Sequence, residues 1–214
     1  MRALLLLLVA CGSSTPIAKN EAKPRGDAPQ IAWGQDRFAW TRLPAIARDG
    51  SLGVVPIVDN DGGRGYANLR LEIRDKFDQT TQGINVLTSN EYERLVPDGK
   101  PSKQLEDRIT TANQQLHGLH DAHDLVEMTV VDPAAAGVKY ENGKLTLANG
   151  RVVDGTPWKA PAGKRCEQCE PCENPEFLKN VYAAPGINAV VVDIGYHGTD
   201  TCWEPGDQWH LIVW

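Results

Sequence analysis

Between residues 66 and 75 the chain alternates apolar and charged side chains. Leu69, Leu71 and Ile73 share one parity, and Arg70, Glu72 and Arg74 take the other. That period of two predicts a strand with one buried and one wet face. Two apolar runs, 37–46 and 52–58, precede it and also read as strands, with Arg48-Asp49-Gly50 as the turn between them. Residues 59–65, Asp-Asn-Asp-Gly-Gly-Arg-Gly, are a strong turn signal. The period then changes. Thr88 with Glu91 fits a capping box and predicts a short helix to about residue 96, ended by Pro97-Asp98-Gly99. A longer helix is expected from Lys103 to His120, with Ser102 as its N-cap. Along it Leu105, Ile109, Ala112, Leu116 and Leu119 form one apolar stripe, suited to packing on a sheet.

Residues 125–131 read as a strand. Two Asn-Gly pairs, Asn142-Gly143 and Asn149-Gly150, separate short β-prone runs between 138 and 154. Asn-Gly supplies the positive φ angles of tight hairpins, so a three-stranded meander is expected. Residues 155–174 look irregular. Asn174-Pro175 has the N-cap and first-turn pattern and predicts a second short helix to about residue 182. Residues 187–196 and 208–214 read as closing strands. Strands in runs with few helices define an α+β fold: a mainly antiparallel sheet with one longer amphipathic helix and two short helices.

The first residues carry a different signal. Met1-Arg2 precedes an unbroken apolar run, 3–10, and then Cys11. A positive residue before a short apolar run is the pattern of a secretory signal. The run is too short to span a bilayer, which takes about 20 apolar residues. The tetrad Leu8-Val9-Ala10-Cys11 resembles the lipobox of bacterial lipoproteins, and the resemblance covers only these first residues. It implies that 1–10 are a signal peptide, that Cys11 is acylated, and that the membrane is a partner through this lipid. Gly12, rather than Asp, follows the cysteine. In enterobacterial members of that family this implies the outer membrane, so the expected address is the bacterial cell envelope. Residues 11–30 are rich in Ser, Thr, Pro, Ala, Lys and Gly and read as a flexible tether holding the domain about 25 Å from its anchor. A single α+β domain is then expected over 31–214.

Composition fits this address. A chain of 214 residues suits one domain, and its net charge of −6, with no basic stripe, excludes non-specific nucleic-acid binding. Five cysteines are an odd number for an exported chain. Assigning Cys11 to lipid leaves Cys166, Cys169, Cys172 and Cys202 as disulfide candidates in three alternative pairings. A link from the cluster to Cys202 would tie the irregular loop to the C-terminal hairpin. Thiolate metal ligation is the alternative. Cys169-Glu170-Pro171-Cys172 also looks like the redox motif of thioredoxin-like oxidoreductases. That fold is rejected because 163–168 is not strand-like and Pro175 falls inside the helix it requires.

His117, His120 and His123 recur every third residue beside Asp121 and Asp124. Helical residues three apart are neighbours, so His117 and His120 are candidate metal ligands, with His123 expected beyond the helix end. The alternative is plain cations at a helix C-terminus. Asp59 and Asp61 suggest calcium, but the EF-hand spacing fails and a plain turn is preferred. Six tryptophans, Trp33, Trp40, Trp158, Trp203, Trp209 and Trp214, suggest either core closure or a platform for a sugar or protein. Phosphate-loop and serine-hydrolase motifs are absent. The leading expectation is therefore a non-catalytic envelope lipoprotein, without cofactor, that binds an envelope protein or glycan or serves a structural role. The alternatives are a metal-binding module and a periplasmic hydrolase in which His197 or His210 converges with Asp193 or Asp200.

Overall fold

Hairpins and side-by-side strands build nearly all of the fold. The structure, a computed structural model, describes residues 26–34, 37–60, 65–159, 163–164, 171–172, 175–197 and 206–214, with the backbone alone at 60, 163–164 and 171–172. The chain opens with an antiparallel hairpin, β1 (Gln30–Gly34) and β2 (Arg37–Thr41). It continues through β3 (Ala45–Ala47), β4 (Leu52–Asn60), β5 (Ala67–Asp75) and β6 (Thr80–Leu87). A short helix α1 (Tyr92–Leu95) and the long helix α2 (Lys103–His123) follow, and then β7 (Leu125–Glu127). These strands make a five-stranded antiparallel sheet in the order β6-β5-β4-β3-β7.

Past Met128 the chain leaves that sheet for a second one. The expected strand 125–131 is thus two strands, β7 and β8 (Thr129–Val131), in different sheets. The meander follows as β9 (Lys139–Glu141), β10 (Lys144–Thr146) and β11 (Val152–Asp154). Asn142 and Gly143 take φ of 51° and 71°, as a two-residue hairpin turn of this hand requires. A two-residue pair, β12 (Gly163–Lys164) and β13 (Pro171–Cys172), comes next. The second sheet is completed by β14 (Glu176–Ala183), β15 (Ala189–Tyr196) and β16 (Gln208–Val213), in the antiparallel order β16-β15-β14-β8.

The helix expected over 174–182 is therefore β14, and the chain has one short α-helix rather than two among the described residues. Asn-Pro also suits the residue before a strand, and 176–183 carries Phe177, Val181 and Tyr182, which favour strands. β15 on one side and β8 on the other offer it a ladder that a helix could not use. The longer helix is confirmed but runs to His123. Ser102 Oγ accepts from the Leu105 amide at its start, and Asp124, with φ of 49°, ends it in the left-handed region.

The layers follow from parity. Leu69, Leu71 and Ile73 face α2 together with Val54, Val86, Leu105, Ala112 and Leu116. The opposite face of the first sheet, Ile46, Val55 and Ile57, packs on Ala189, Val191 and Leu211 of the second. The far face of the second sheet, Val181, Val190, Val192 and Ile194, takes the meander through Leu145 and Trp158. The order is helix, sheet, sheet, meander, and β15, buried along all eight residues, lies at the centre.

Candidate functional site

The histidine triplet divides on the helix. His117 and His120 lie on the flank of α2 that also carries Asn113, at i+4 and i+7. Asn113 Oδ1 accepts from the Ile31 amide at 2.8 Å and its Nδ2 donates to the Ile31 carbonyl at 2.9 Å, so this flank faces β1. Among the described residues His117 Nε2 and His120 Nδ1 are buried without hydrogen-bond partners, and His120 Nε2 stands 3.9 Å from an Asp27 carboxylate oxygen. His123 is in the last helical turn rather than beyond it. Among the described residues no three His, Cys, Asp or Glu side chains converge as metal ligands. The side chains of Cys166, Cys169, Cys172 and Cys202 lie outside the described residues, as do Cys11 and Asp61. Asp59 is engaged by Asn68 Nδ2 at 2.7 Å and Arg70 at 3.4 Å.

The described tryptophans are spread through the layers rather than gathered in one platform. Trp33 packs edge-on to Phe38 at 4.9 Å, Trp158 stacks on His210 at 4.3 Å, and Trp209 stacks on Tyr182 at 5.3 Å. Trp40 is partly exposed, Trp214 packs against the outer core, and Trp203 lies outside the described residues.

Neither described imidazole meets Asp193. His210 pairs across the sheet with Val192 and shares its face, so Asp193, one residue on, points to the other face. His197 stacks on Phe177 at 4.2 Å, and Asp200 lies outside the described residues. The partner of His210 is instead Asp78, whose Oδ2 is 2.7 Å from its Nδ1. Asp78 sits in the β5–β6 turn, 132 residues away, which is why spacing along the chain gave no hint of the pair.

That contact belongs to a larger arrangement. β16 is an edge strand, and three of its outward backbone groups are closed by charged side chains from other layers. Arg74 donates to the Trp209 carbonyl, Asp78 Oδ1 accepts from the Leu211 amide at 2.7 Å, and Arg151 donates to the Val213 carbonyl at 2.9 Å. Burial alone would raise the Asp78 carboxyl, but the His210 hydrogen bond and the Arg74 charge outweigh it and hold the group below its ordinary value. Glu72 anchors Arg74 from the other side at 2.6 Å. These charges do structural work, and Trp158 covers the His210 ring, whose Nε2 is buried without a partner.

The other end of the first sheet is open. A groove of about 450 Å³ runs between the edge of β6 and the flank of α2 that carries Gln104, Arg108, Thr111 and Gln115. Ile84 and Ala112 form its floor. Gln82 and Gln115 line it with side-chain amides that have no hydrogen-bond partner among the described residues. Its charged residues are already matched: Lys103 holds Asp107, and Arg108 makes paired bonds to Glu91 at 3.0 and 2.8 Å. The capping box expected at Thr88 is altered by this pairing. Thr88 Oγ1 donates to the Glu91 carboxylate at 2.9 Å, and that carboxylate turns to Arg108 instead of closing on the helix start. The Arg108 bond holds the Glu91 pKa down to about 2.

Fold and surface together define a class, a layered α+β protein with one sheet edge sealed by charges and another left open beside a helix. Comparison with known proteins found no matching family, no matching curated protein and no matching solved structure.

Proposed function

We propose that the protein is a lipid-anchored component of the bacterial cell envelope that acts by binding or as a structural element, not by catalysis. The observation that carries this reading is Met1-Arg2, the apolar run and Leu8-Val9-Ala10-Cys11 in immediate succession. The even set of remaining cysteines agrees with an oxidising compartment. No described helix is long and apolar enough to cross a membrane. Two acyl chains or more suffice for stable anchoring, since each buried CH2 contributes about 0.8 kcal/mol. The surface agrees with a binding role: the charged side chains described above seal edges and join elements, while the open groove presents unpartnered amides.

Metabolic labelling with palmitate tests the anchor. The wild-type chain is expected to incorporate label and sediment with membranes, and Cys11→Ser to do neither. A Cys11→Ser protein that still sediments with vesicles would sink the proposal. Non-reducing mass spectrometry of the mature protein is expected to show two disulfides and an acylated N-terminus.

A second reading, a metal-binding module on α2, is favoured by one observation, the buried and unpartnered nitrogens of His117 and His120. It predicts stoichiometric zinc in the purified chain, lost in His117→Ala. Elemental analysis that finds no metal removes it.

A further inference from the structure

The strand edges of this protein are treated unequally. The outward groups of β16 are closed by Arg74, Asp78 and Arg151, and β1 is clamped at Ile31 by Asn113. The edge strands β7 and β8 are three residues each, too short to offer a ladder. β6 is closed by charge at one end only, where Arg108 donates to the Val86 carbonyl at 3.3 Å. It is eight residues long, has no strand beyond it among the described residues, and carries neither a charged residue nor a proline in Thr-Thr-Gln-Gly-Ile-Asn-Val-Leu. Register shifts near Thr81 and Val86 bracket a regular run, Gln82 to Asn85. Those four residues are the ones that line the groove.

We propose that the groove between β6 and α2 takes an extended, uncharged polypeptide segment as an added strand. This deepens the binding reading above and rests on it. The occupant follows from the chemistry of the walls. An open edge presents alternate amide and carbonyl groups, which another main chain satisfies. Gln82 and Gln115, whose side chains have no hydrogen-bond partner among the described residues, each offer a donor and an acceptor, the pair of functions a peptide bond needs. Asp107 and Arg108 are already neutralised within the chain, so charge complementarity calls for a neutral segment. Four strand residues span about 13 Å, and the helix from Gln104 to Gln115 spans about 16 Å, so the groove fits a segment of four or five residues. The partner's inward side chain meets Ile84 and Ala112, which selects a small or medium apolar residue there.

The test pans a displayed library of random dodecapeptides against the purified full chain and, in parallel, against Gln82→Lys, which puts a charge at the exposed β6 position on the α2 side of the sheet. Enriched peptides are then measured by hydrogen exchange and by affinity. The expected result is a set of peptides with an uncharged β-prone centre that slow exchange at residues 82–85. They should bind Gln82→Lys at least tenfold more weakly, while that variant melts close to the wild-type temperature. No enrichment beyond the Gln82→Lys control overturns the proposal, as does enrichment of peptides that protect another surface. Sedimentation showing a dimer that Gln82→Lys dissociates would assign the edge to a second copy instead. Protection of 82–85 in the free chain that disappears when residues 12–25 are deleted would assign it to the chain's own N-terminal segment. None of these results depends on the lipid, so a failed anchor and a failed groove are told apart.

Discussion

Asp193 is the residue at which sequence and structure diverge most. It interrupts an apolar run and lies near two histidines, so the chain alone suggests a catalytic carboxylate. In the structure it is 2% exposed, between the two large sheets. One oxygen accepts from Asn180 Nδ2 at 2.9 Å and the other has no partner. Burial pushes its pKa up to about 6 from an ordinary 3.8. The folded chain therefore holds a proton that the unfolded chain has released between those two values. The sign follows directly: stability is greatest below about pH 4 as far as this group decides, and it falls as pH climbs to 6. A displacement of that size corresponds to something on the order of 3 kcal/mol. Asp193→Asn keeps the bond to Asn180 without the buried charge. We expect it to be more stable than wild type by about 1–2 kcal/mol at pH 8, with the difference gone at pH 4. Urea unfolding at the two pH values decides this, and an equal loss at both would show that the carboxylate has an attractive partner after all. Legibility at this scale was limited by parity. The alternation of β15 was readable, but which parity faces which layer depends on segments more than a hundred residues away.

Elements joined by long-range charges behave differently from elements joined by packing. The edge of β16 is held by two kinds of side chain. Asp78 bonds to Arg74 at 2.8 Å, to His210 and to the Leu211 amide, and it is mostly enclosed. Arg151 is exposed and makes one bond, to the Val213 carbonyl. Asp78→Ala leaves a cation, an imidazole and an amide without their acceptor, and should cost about 3–5 kcal/mol. Arg151→Ala should cost less than about 1 kcal/mol, because water replaces the lost bond. Denaturant midpoints of the two variants measure the contrast, and comparable losses would refute the account of the edge. The Asp78 carboxyl is held down, so its contribution is present above its ordinary value and fades as the solution is acidified, opposite to Asp193. The Glu91–Arg108 pair follows the rule of Asp78. Glu91→Gln should lose about 1–2 kcal/mol at pH 7 and little near pH 2, where about half of the wild-type carboxylate is protonated. At the scale of elements the sequence was informative wherever period and turn chemistry agreed. The stripe of α2, the alternation of β5 and the Asn142-Gly143 turn all appear as read. It misled at 176–183, where an Asn-Pro start looked helical and a ladder on both sides decided for a strand. The edge strand β6 was passed over because its Thr, Gln, Gly and Asn give no apolar alternation, a composition that suits an open edge.

At the scale of the whole molecule, the α+β class and its mainly antiparallel character were legible, whereas the order of the layers was not. Layer order is set by which faces meet, and Ile57 with Val191 or Val181 with Leu145 are encounters that no local pattern encodes. One consequence concerns how tension from an N-terminal anchor would enter the fold. The chain reaches the described domain at Gly26 and passes straight into the β1–β2 hairpin, which belongs to neither large sheet. That hairpin is held by Ile31 and Phe38 in the core beside α2, by Trp33 against Tyr92 at 6.5 Å, and by the two bonds of Asn113 to Ile31. β15 sits two layers deeper and shares none of these contacts. Stability should therefore be graded, with the hairpin opening alone before the sheets part. Asn113→Ala removes both clamping bonds and leaves the backbone amide and carbonyl of Ile31 against an apolar neighbour, at a cost of about 1–3 kcal/mol. If opening is local, amide exchange at Ile31 should quicken by roughly ten- to a hundredfold, while the amides of Val190 to Ile194 keep their wild-type rates. Uniform acceleration across β15 would mean instead that the layers unfold as one unit, and that a pull applied at Gly26 would be felt throughout the stack.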